Sequence, residues 1–328
     1  MAVTHSYDVV IVGAGPAGMC AALYTGRSML KTAVLERGIP GGELLNTEKL
    51  DDWIGEKSIL GWELAKKFED HSREFGAEFV TANVTCVTRR DDGTFDTATD
   101  TGDVYQSPAV IITAGGTPVK LGVPGELEYA GKGVSYCAIC DGAFFKQHVI
   151  AVVGGGDAAV EEADFLTRYA SKVYVIHRRG EFRASRILQD RLRANPKVEV
   201  LWNTVVEQIR GDAQGLMSGL VIRDVKSDTV RTLDATGCFV FVGFRPNTGI
   251  IDGHFDHDEM GYVRTDTMMQ TSIAGLFAAG DLRSQLTRQV TTAVGDATTA
   301  AIAVEKYLKA RAEGGHAIAP QGSGGYAV

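Results

Sequence analysis

The chain has 328 residues, 45% hydrophobic and 23% charged, with a formal net charge of −8. That length suggests about two domains, and the composition is that of a globular protein. The acidic balance argues against a nucleic-acid partner, which needs a basic face, and no run approaches the roughly 18 apolar residues of a membrane span.

Met1 to Tyr7 lacks a basic region followed by an apolar stretch, so no export signal and a cytoplasmic location are expected. Thiols there stay reduced, and a close cysteine pair is then catalytic or metal-binding rather than a structural staple.

Tyr7 to Val12 reads as a strand that feeds Gly13-Ala14-Gly15-Pro16-Ala17-Gly18. A helix over Ala17–Ser28 and a strand over Lys31–Leu35, ending at Glu36, complete a dinucleotide-binding unit. Gly13 permits the tight turn, Gly15 the approach of a pyrophosphate, and Gly18 close packing of helix on strand. The diphosphate would rest on the helix N-terminus, with Glu36 accepting from a ribose hydroxyl. Gly41 and Gly42, followed by Glu43, Leu44, Leu45, Asn46 and Thr47, allow close approach to something flat or extended. Gly61 to Phe75 reads as a helix with Trp62 on its flank, and Ala77–Val87, Thr94–Thr99 and Asp103–Ser107 as short strands. Ala109–Thr113 is a further strand, and the Ala114-Gly115-Gly116 after it offers backbone to a ligand.

Five cysteines occur, and one close pair among them, Cys137-Ala138-Ile139-Cys140, followed by Asp141-Gly142. Zinc would want a second pair or matched histidines, and neither is near. No metal site is therefore expected. Cys20, Cys86 and Cys238 read as small buried core residues.

His148–Val153 is the next strand, running into Gly154-Gly155-Gly156-Asp157-Ala158-Ala159 and a helix through Ala170. This is a second dinucleotide turn, with Ala159 at the third glycine position. Ser171–Ile176 is the strand after it, and His177 stands 18 residues beyond Ala159, as Glu36 stands 18 beyond Gly18. The shared register makes the second unit a counterpart of the first. Its strand ends in His177-Arg178-Arg179, with Arg183 four residues on. Guanidinium forks hold a phosphate where a carboxylate would repel it, so this site reads as one for NADPH. Further strands are expected at Val198–Trp202, Leu216–Asp224, Thr229–Asp234, Gly237–Val242 and Gly275–Ala279. The last ends in Gly280-Asp281, an acid placed to hold a polyol or phosphate-linked chain. Arg288-Gln289-Val290 opens a helix from about Thr292 to Ala310, and the chain from about 314 reads as a flexible tail.

With these motifs in order along nearly its whole length, the sequence resembles the low-molecular-weight bacterial thioredoxin reductases, two-dinucleotide-domain flavoproteins. The stretches Gly13–Gly18, Gly41–Thr47, Thr113–Pro124, Cys137–Gly142, Gly154–Ala163, His177–Ser185, Gly243–Thr248, Gly280–Arg283 and Arg288–Val290 carry the match. The resemblance implies an α/β fold of two three-layer Rossmann-like domains. A discontinuous FAD domain (1–117 and 248–328) would hold an inserted NADPH domain (118–247) that carries the cysteine pair. It implies FAD at the first turn, NADPH at the second, thioredoxin as disulfide substrate, and a homodimer. By the same match Cys140 faces flavin, Cys137 attacks the substrate, and Asp141 is the acid/base. Asp281 and the Gln289–Val290 backbone touch flavin, Phe144 and Phe145 form a docking patch, and Arg178, Arg179 and Arg183 clamp the 2′-phosphate. The sequence departs from the family pattern at Glu43, at Asp52-Trp53-Ile54-Gly55 and at Ala158. A relative fed by ferredoxin, a dithiol oxidase and a non-enzymatic flavin sensor are the alternatives.

Overall fold

The computed structural model describes residues 3–46, 49–50, 53–136 and 138–314. In chain order it forms β1 (Thr4–Ser6), β2 (Val9–Val12), α1 (Pro16–Arg27), β3 (Thr32–Glu36), α2 (Gly61–Arg73) and β4 (Glu78–Thr81). Next come β5 (Val84–Arg89), β6 (Phe95–Thr99), β7 (Val104–Ser107), β8 (Ala109–Ile112), β9 (Val134–Ser135) and α3 (Ala138–Asp141). Then follow β10 (Val149–Gly154), α4 (Asp157–Leu166), β11 (Lys172–His177), α5 (Arg186–Ala194), β12 (Val198–Trp202) and β13 (Thr204–Gly211). The series closes with β14 (Met217–Asp224), β15 (Val230–Asp234), β16 (Gly237–Phe241), β17 (Leu276–Ala278) and α6 (Val290–Ala312). Two compact units result, one of residues 1–117 with 245–328, the other of 118–244.

The first unit is built on a parallel sheet ordered β17-β8-β2-β3-β4. Its central strands β2 and β8 and the strand β17 are apolar on both faces, as a sheet covered on both sides requires. Val9 and Ile11 of β2 pack with the alanines of α1 and α6, including Ala21, Ala297 and Ala300. Val10 and Val12, pointing the other way, pack with Val84, Phe95 and Tyr105 of a four-stranded sheet ordered β1-β7-β6-β5. Helices, parallel sheet and smaller sheet make three layers.

The second unit repeats the plan with β9-β16-β10-β11-β12 as its parallel sheet. Ile150 and Val152 face α4 and α5, in one core with Ala163 and Leu192. Ala151 and Val153 face the antiparallel sheet β13-β14-β15 through Ile209, Leu220 and Ile222.

Several expectations need correction. Ala77–Val87 divides into β4 and β5, which belong to different sheets; the break falls at Ala82-Asn83, where Ala82 N–H donates to Glu36 O (2.9 Å). The helix expected to run to Ala170 ends at Leu166, and the Thr167 hydroxyl donates to Asp164 O (2.6 Å) as the chain turns. Helix α5 lacks a counterpart in the sequence reading, because Leu192 alone is fully buried and no apolar stripe marks it. Of the three single cysteines, Cys238 is buried, whereas Cys20 and Cys86 are half-buried; Cys20 Sγ donates to Val294 O (3.3 Å). Among the described residues no helix is long and apolar enough to cross a membrane.

Gly18 is the tightest packing point of the first unit, since a Cβ there would lie 1.9 Å from the Gly13 carbonyl oxygen. Gly18→Ala should lower stability by about 2 kcal/mol through overpacking; a denaturant melt with an unchanged midpoint would contradict it.

Candidate functional site

The first turn joins β2 to α1. Gly13 has φ +101°, and a Cβ on it would meet Thr113 O at 2.7 Å. The Thr113 hydroxyl bonds Val12 O and Gly13 O at 2.9 and 2.8 Å, clamping the strand ends together. Gly15 caps α1 with no side-chain bond, and Pro16 begins the helix, so the N-terminal amides point outward. The nearest atom to a Cβ on Gly15 is Gly42 Cα (3.8 Å), and Gly42 itself has φ +54°. Two glycines thus flank the amide-lined mouth, leaving a cradle that side chains would fill. Glu36 braces the rim: Ala14 N–H donates to its Oε2 (2.8 Å) and Gly38 N–H to its Oε1 (3.0 Å). These groups suit a dinucleotide diphosphate and its ribose.

Gly42–Asn46 is a turn of 3₁₀-helix. Leu44 is buried with Leu50, Ile59, Leu64 and Ala65, so only its backbone is available to a ligand. Glu43 is exposed, as are the side chains of Ile54 and Trp62. Thr47 and Asp52 lie outside the described residues. Ala114 and Gly115 follow β8; Ala114 O accepts from Asn247 Nδ2 (2.8 Å) and Gly115 O from Asn247 N–H (3.0 Å).

Gly280 and Asp281 follow β17 in the same unit, and Gly280 has φ +80°. Arg288 donates to Asp281 O (3.2 Å) and lies 4.0 Å over the Tyr262 ring. Burial raises the Asp281 carboxyl; Glu43 and Asp296 add to this and Arg288 opposes it. Gln289 N–H is bonded to Thr292 Oγ1 (3.0 Å), which leaves Val290 as the first helical amide of α6.

In the second unit Gly154, Gly156 and Ala159 form the turn between β10 and α4. A Cβ on Gly154 would meet Phe241 O at 2.4 Å, whereas one on Gly156 would meet nothing within 4 Å. Gly156 therefore opens onto space at the start of α4, beside the exposed Asp157 and Ala158. Asp157 Oδ1 accepts Ser185 N–H (2.6 Å), and Arg183 N–H donates to Gly155 O (2.8 Å). Both bonds hold the arginine loop against the turn. Arg178, Arg179 and Arg183 are exposed, with no ion-pair partner among the described residues. Three unpaired guanidinium groups beside an open amide-lined turn suit a phosphorylated ribose.

His177 occupies a different kind of place. It is buried beneath Gly155, whose Cβ would strike its ring, and its Nε2 bonds Glu181 O (2.9 Å). Burial, with Arg179 and Arg183 adding, holds its pKa below the usual value. The imidazole supports the loop from below and does not reach the mouth.

Helix α3 carries Cys140 and Asp141 in the second unit, and Asp141 is half-buried. Cys137 lies outside the described residues. The two phenylalanines after the pair separate: Phe144 is exposed, while Phe145 packs edge-on against Phe239 (5.2 Å) in the core. Sequence reading missed Glu126, which is buried and accepts from Leu121 N–H (2.8 Å), Gly122 N–H (2.7 Å) and the Tyr136 hydroxyl (2.9 Å). It anchors the residue just before Cys137, and a lone acid in a Pro-Gly turn gives no pattern to find it by.

Residues 7–297 match the pyridine nucleotide-disulphide oxidoreductase family. A thioredoxin reductase of Listeria innocua is 45% identical over 304 residues, covering 92% of this chain and 94% of that one. One from Bacillus subtilis is 44% identical over 303 residues, covering 92% and 95%. A crystal structure of Lactococcus lactis thioredoxin reductase superimposes with a TM-score of 0.85 at 41% identity, covering 92% of this chain and 99% of that one.

Glu162 on α4 provides a pH test of the second unit. Burial, then Glu161, pushes its carboxyl up to about 7. A raised carboxyl binds its proton better in the folded chain, so stability is full below the unfolded pKa and lost as pH rises through about 7. Glu162→Gln should raise the denaturation midpoint at pH 8 and change it much less at pH 5. Equal shifts at both pH values would show that the carboxyl does not titrate this way.

Proposed function

The chain belongs to the pyridine nucleotide-disulphide oxidoreductase family, and we propose that it is a thioredoxin-disulfide reductase using FAD and NADPH. One observation carries the reading. Two dinucleotide turns of the same register end differently, the first in the braced carboxylate of Glu36 and the second in three unpaired arginines. Two cofactors of unlike charge at the ribose are thereby called for, in a chain that also holds a CxxC.

Gly13, Gly15, Pro16, Ala17 and Gly18 hold the FAD diphosphate at α1, with Glu36 on the ribose. The 42–46 turn, Ala114-Gly115, Gly280-Asp281 and Arg288-Gln289-Val290 line the rest of that site. Gly154, Gly156, Asp157, Ala158 and Ala159 receive the NADPH diphosphate, and Arg178, Arg179 and Arg183 its 2′-phosphate. His177 keeps the arginine loop in place. FAD supplies the two-electron link between a nicotinamide hydride and thiol chemistry.

The cysteine pair does the rest. As a thiolate, Cys137 attacks the substrate disulfide, forming a mixed disulfide and releasing one substrate thiolate. Cys140 then attacks the Cys137 sulfur, which frees the second substrate thiol and closes the Cys137–Cys140 disulfide. Asp141, adjacent in sequence to Cys140, moves the proton between thiol and thiolate. Phe144, exposed beyond the pair, offers an apolar contact to the protein substrate, whereas Phe145 belongs to the core. The working form is a cytoplasmic homodimer, a reading supported by the family likeness; sedimentation at the mass of one chain would overturn it.

Turnover of NADPH with DTNB and added thioredoxin tests the assignment. Bound FAD without NADPH oxidation in the presence of several thioredoxins would favour another electron donor. Cys140→Ser should still allow NADPH to bleach the flavin and should lose thioredoxin turnover. Arg179→Ala should raise KM for NADPH about tenfold or more, as loss of a charge-assisted phosphate bond does; KM for NADH should stay the same. Equal effects on both nucleotides would remove Arg179 from the clamp.

A further inference from the structure

Asp281 sits on a turn that other side chains hold from every direction. Arg283 and Asp296 form an ion pair, Nη1 to Oδ1 at 2.7 Å, with side chains only 13% and 12% exposed. Such burial distinguishes it from the surface pairs of this protein, which solvent screens. The second Asp296 oxygen accepts Gly280 N–H (3.2 Å), so one carboxylate of α6 grips both the turn's backbone and its arginine. Arg283 also donates from Nε to Thr265 Oγ1 (2.9 Å) and from Nη1 to Gln285 Oε1 (3.3 Å). Gln285 returns a bond from Nε2 to Gly280 O (3.1 Å), and Arg283 N–H donates to the same carbonyl (3.0 Å). Arg288 takes Asp281 O.

Every one of these bonds goes to the backbone around Asp281 or to Arg283, and none to the Asp281 carboxylate. That carboxylate has no hydrogen-bond partner among the described residues. Gly280 leaves no slack either, since a Cβ on it would lie 3.0 Å from Ala17 Cβ on the dinucleotide helix. The turn is therefore held against α1 and α6 with its acid left unbonded among the described residues.

We propose that the Arg283–Asp296 ion pair is a positioning device for the flavin site, fixing the Gly280 turn so that the Asp281 carboxylate is pre-set to receive a hydroxyl of the FAD polyol chain. The inference rests on the reading of the first unit as the FAD site. Arg283 and Asp296 bond to the turn, and they act through Asp281.

The test separates positioning from mere stability. Replacing both members by apolar residues, Arg283→Met with Asp296→Leu, removes the Gly280 bond yet leaves no unpaired buried charge, and such exchanges are often neutral for folding. FAD affinity is read by free-flavin fluorescence on diluting the purified holoenzyme, beside a thermal melt and the binding of 2′,5′-ADP by the second unit. The double variant should keep its melt and its 2′,5′-ADP affinity while its Kd for FAD rises about tenfold, the loss of one charge-assisted bond. Asp296→Glu should restore most of the affinity. An unchanged Kd in the folded double variant overturns the proposal, and should that variant fail to fold, unaltered FAD affinity in Asp296→Asn does the same. Asp281→Asn is the control: if it and wild type bind FAD equally, the placement of the polyol at Asp281 is wrong. If wild type holds no FAD, the cofactor assignment itself fails.

Discussion

Gly18 has to stand 1.9 Å, at its missing Cβ, from the carbonyl of Gly13, and the first nucleotide site depends on that contact. The approach lets α1 start directly at the end of β2, so its outward amides and the Gly42 backbone enclose one small volume. A side chain at Gly18 would lift the helix, and the amides would lose their common focus. The second unit meets the same constraint with Ala159, whose methyl is fully buried against Gly154. Each parallel sheet, sealed by helices on one face and a small sheet on the other, makes these strand ends rigid enough to hold a diphosphate.

Electrostatics then divides the labour between two similar frames. In the first, Glu36 spends its oxygens on Ala14 and Gly38, which fixes a negative rim where a ribose hydroxyl can donate. In the second, arginines stand at the equivalent strand end without carboxylate partners among the described residues, and their loop is tied down by its own N–H groups, to Gly155 O and to the Asp157 carboxylate. The guanidinium charge is left available for a ligand because the loop is supported through its own backbone N–H groups. The Gly280 turn follows the same logic, with the buried Arg283–Asp296 pair absorbing structural demands and Asp281 left unbonded.

Much of the site was legible in sequence because it depends on backbone geometry that only certain residues permit. The glycine turns, the acid and the basic string at one register, and the CxxC followed by an acid all fall in this class. Other features were not. His177 looks like part of a basic ligand string, yet it is buried under Gly155. Leu44 lies within a stretch expected from the sequence to approach a ligand, but its side chain faces the core. Phe144 and Phe145 are neighbours with opposite fates. In each case the residue type allows either role, and packing at long range selects one.

By itself the sequence determined the two dinucleotide units, their order, the charge at the second strand end of each, and the presence of a thiol pair. These follow from short local patterns, where steric permission and charge are properties of the residues themselves. Only the tertiary structure decided which of those residues stay exposed and which are buried as support. Asp296 meets Gly280 and Arg283 across a gap of more than a dozen positions, and Glu126 reaches Tyr136 beside the redox pair. Such contacts join single polar residues that carry no local pattern, and they exist only because folding removes both partners from water and obliges each to find the other.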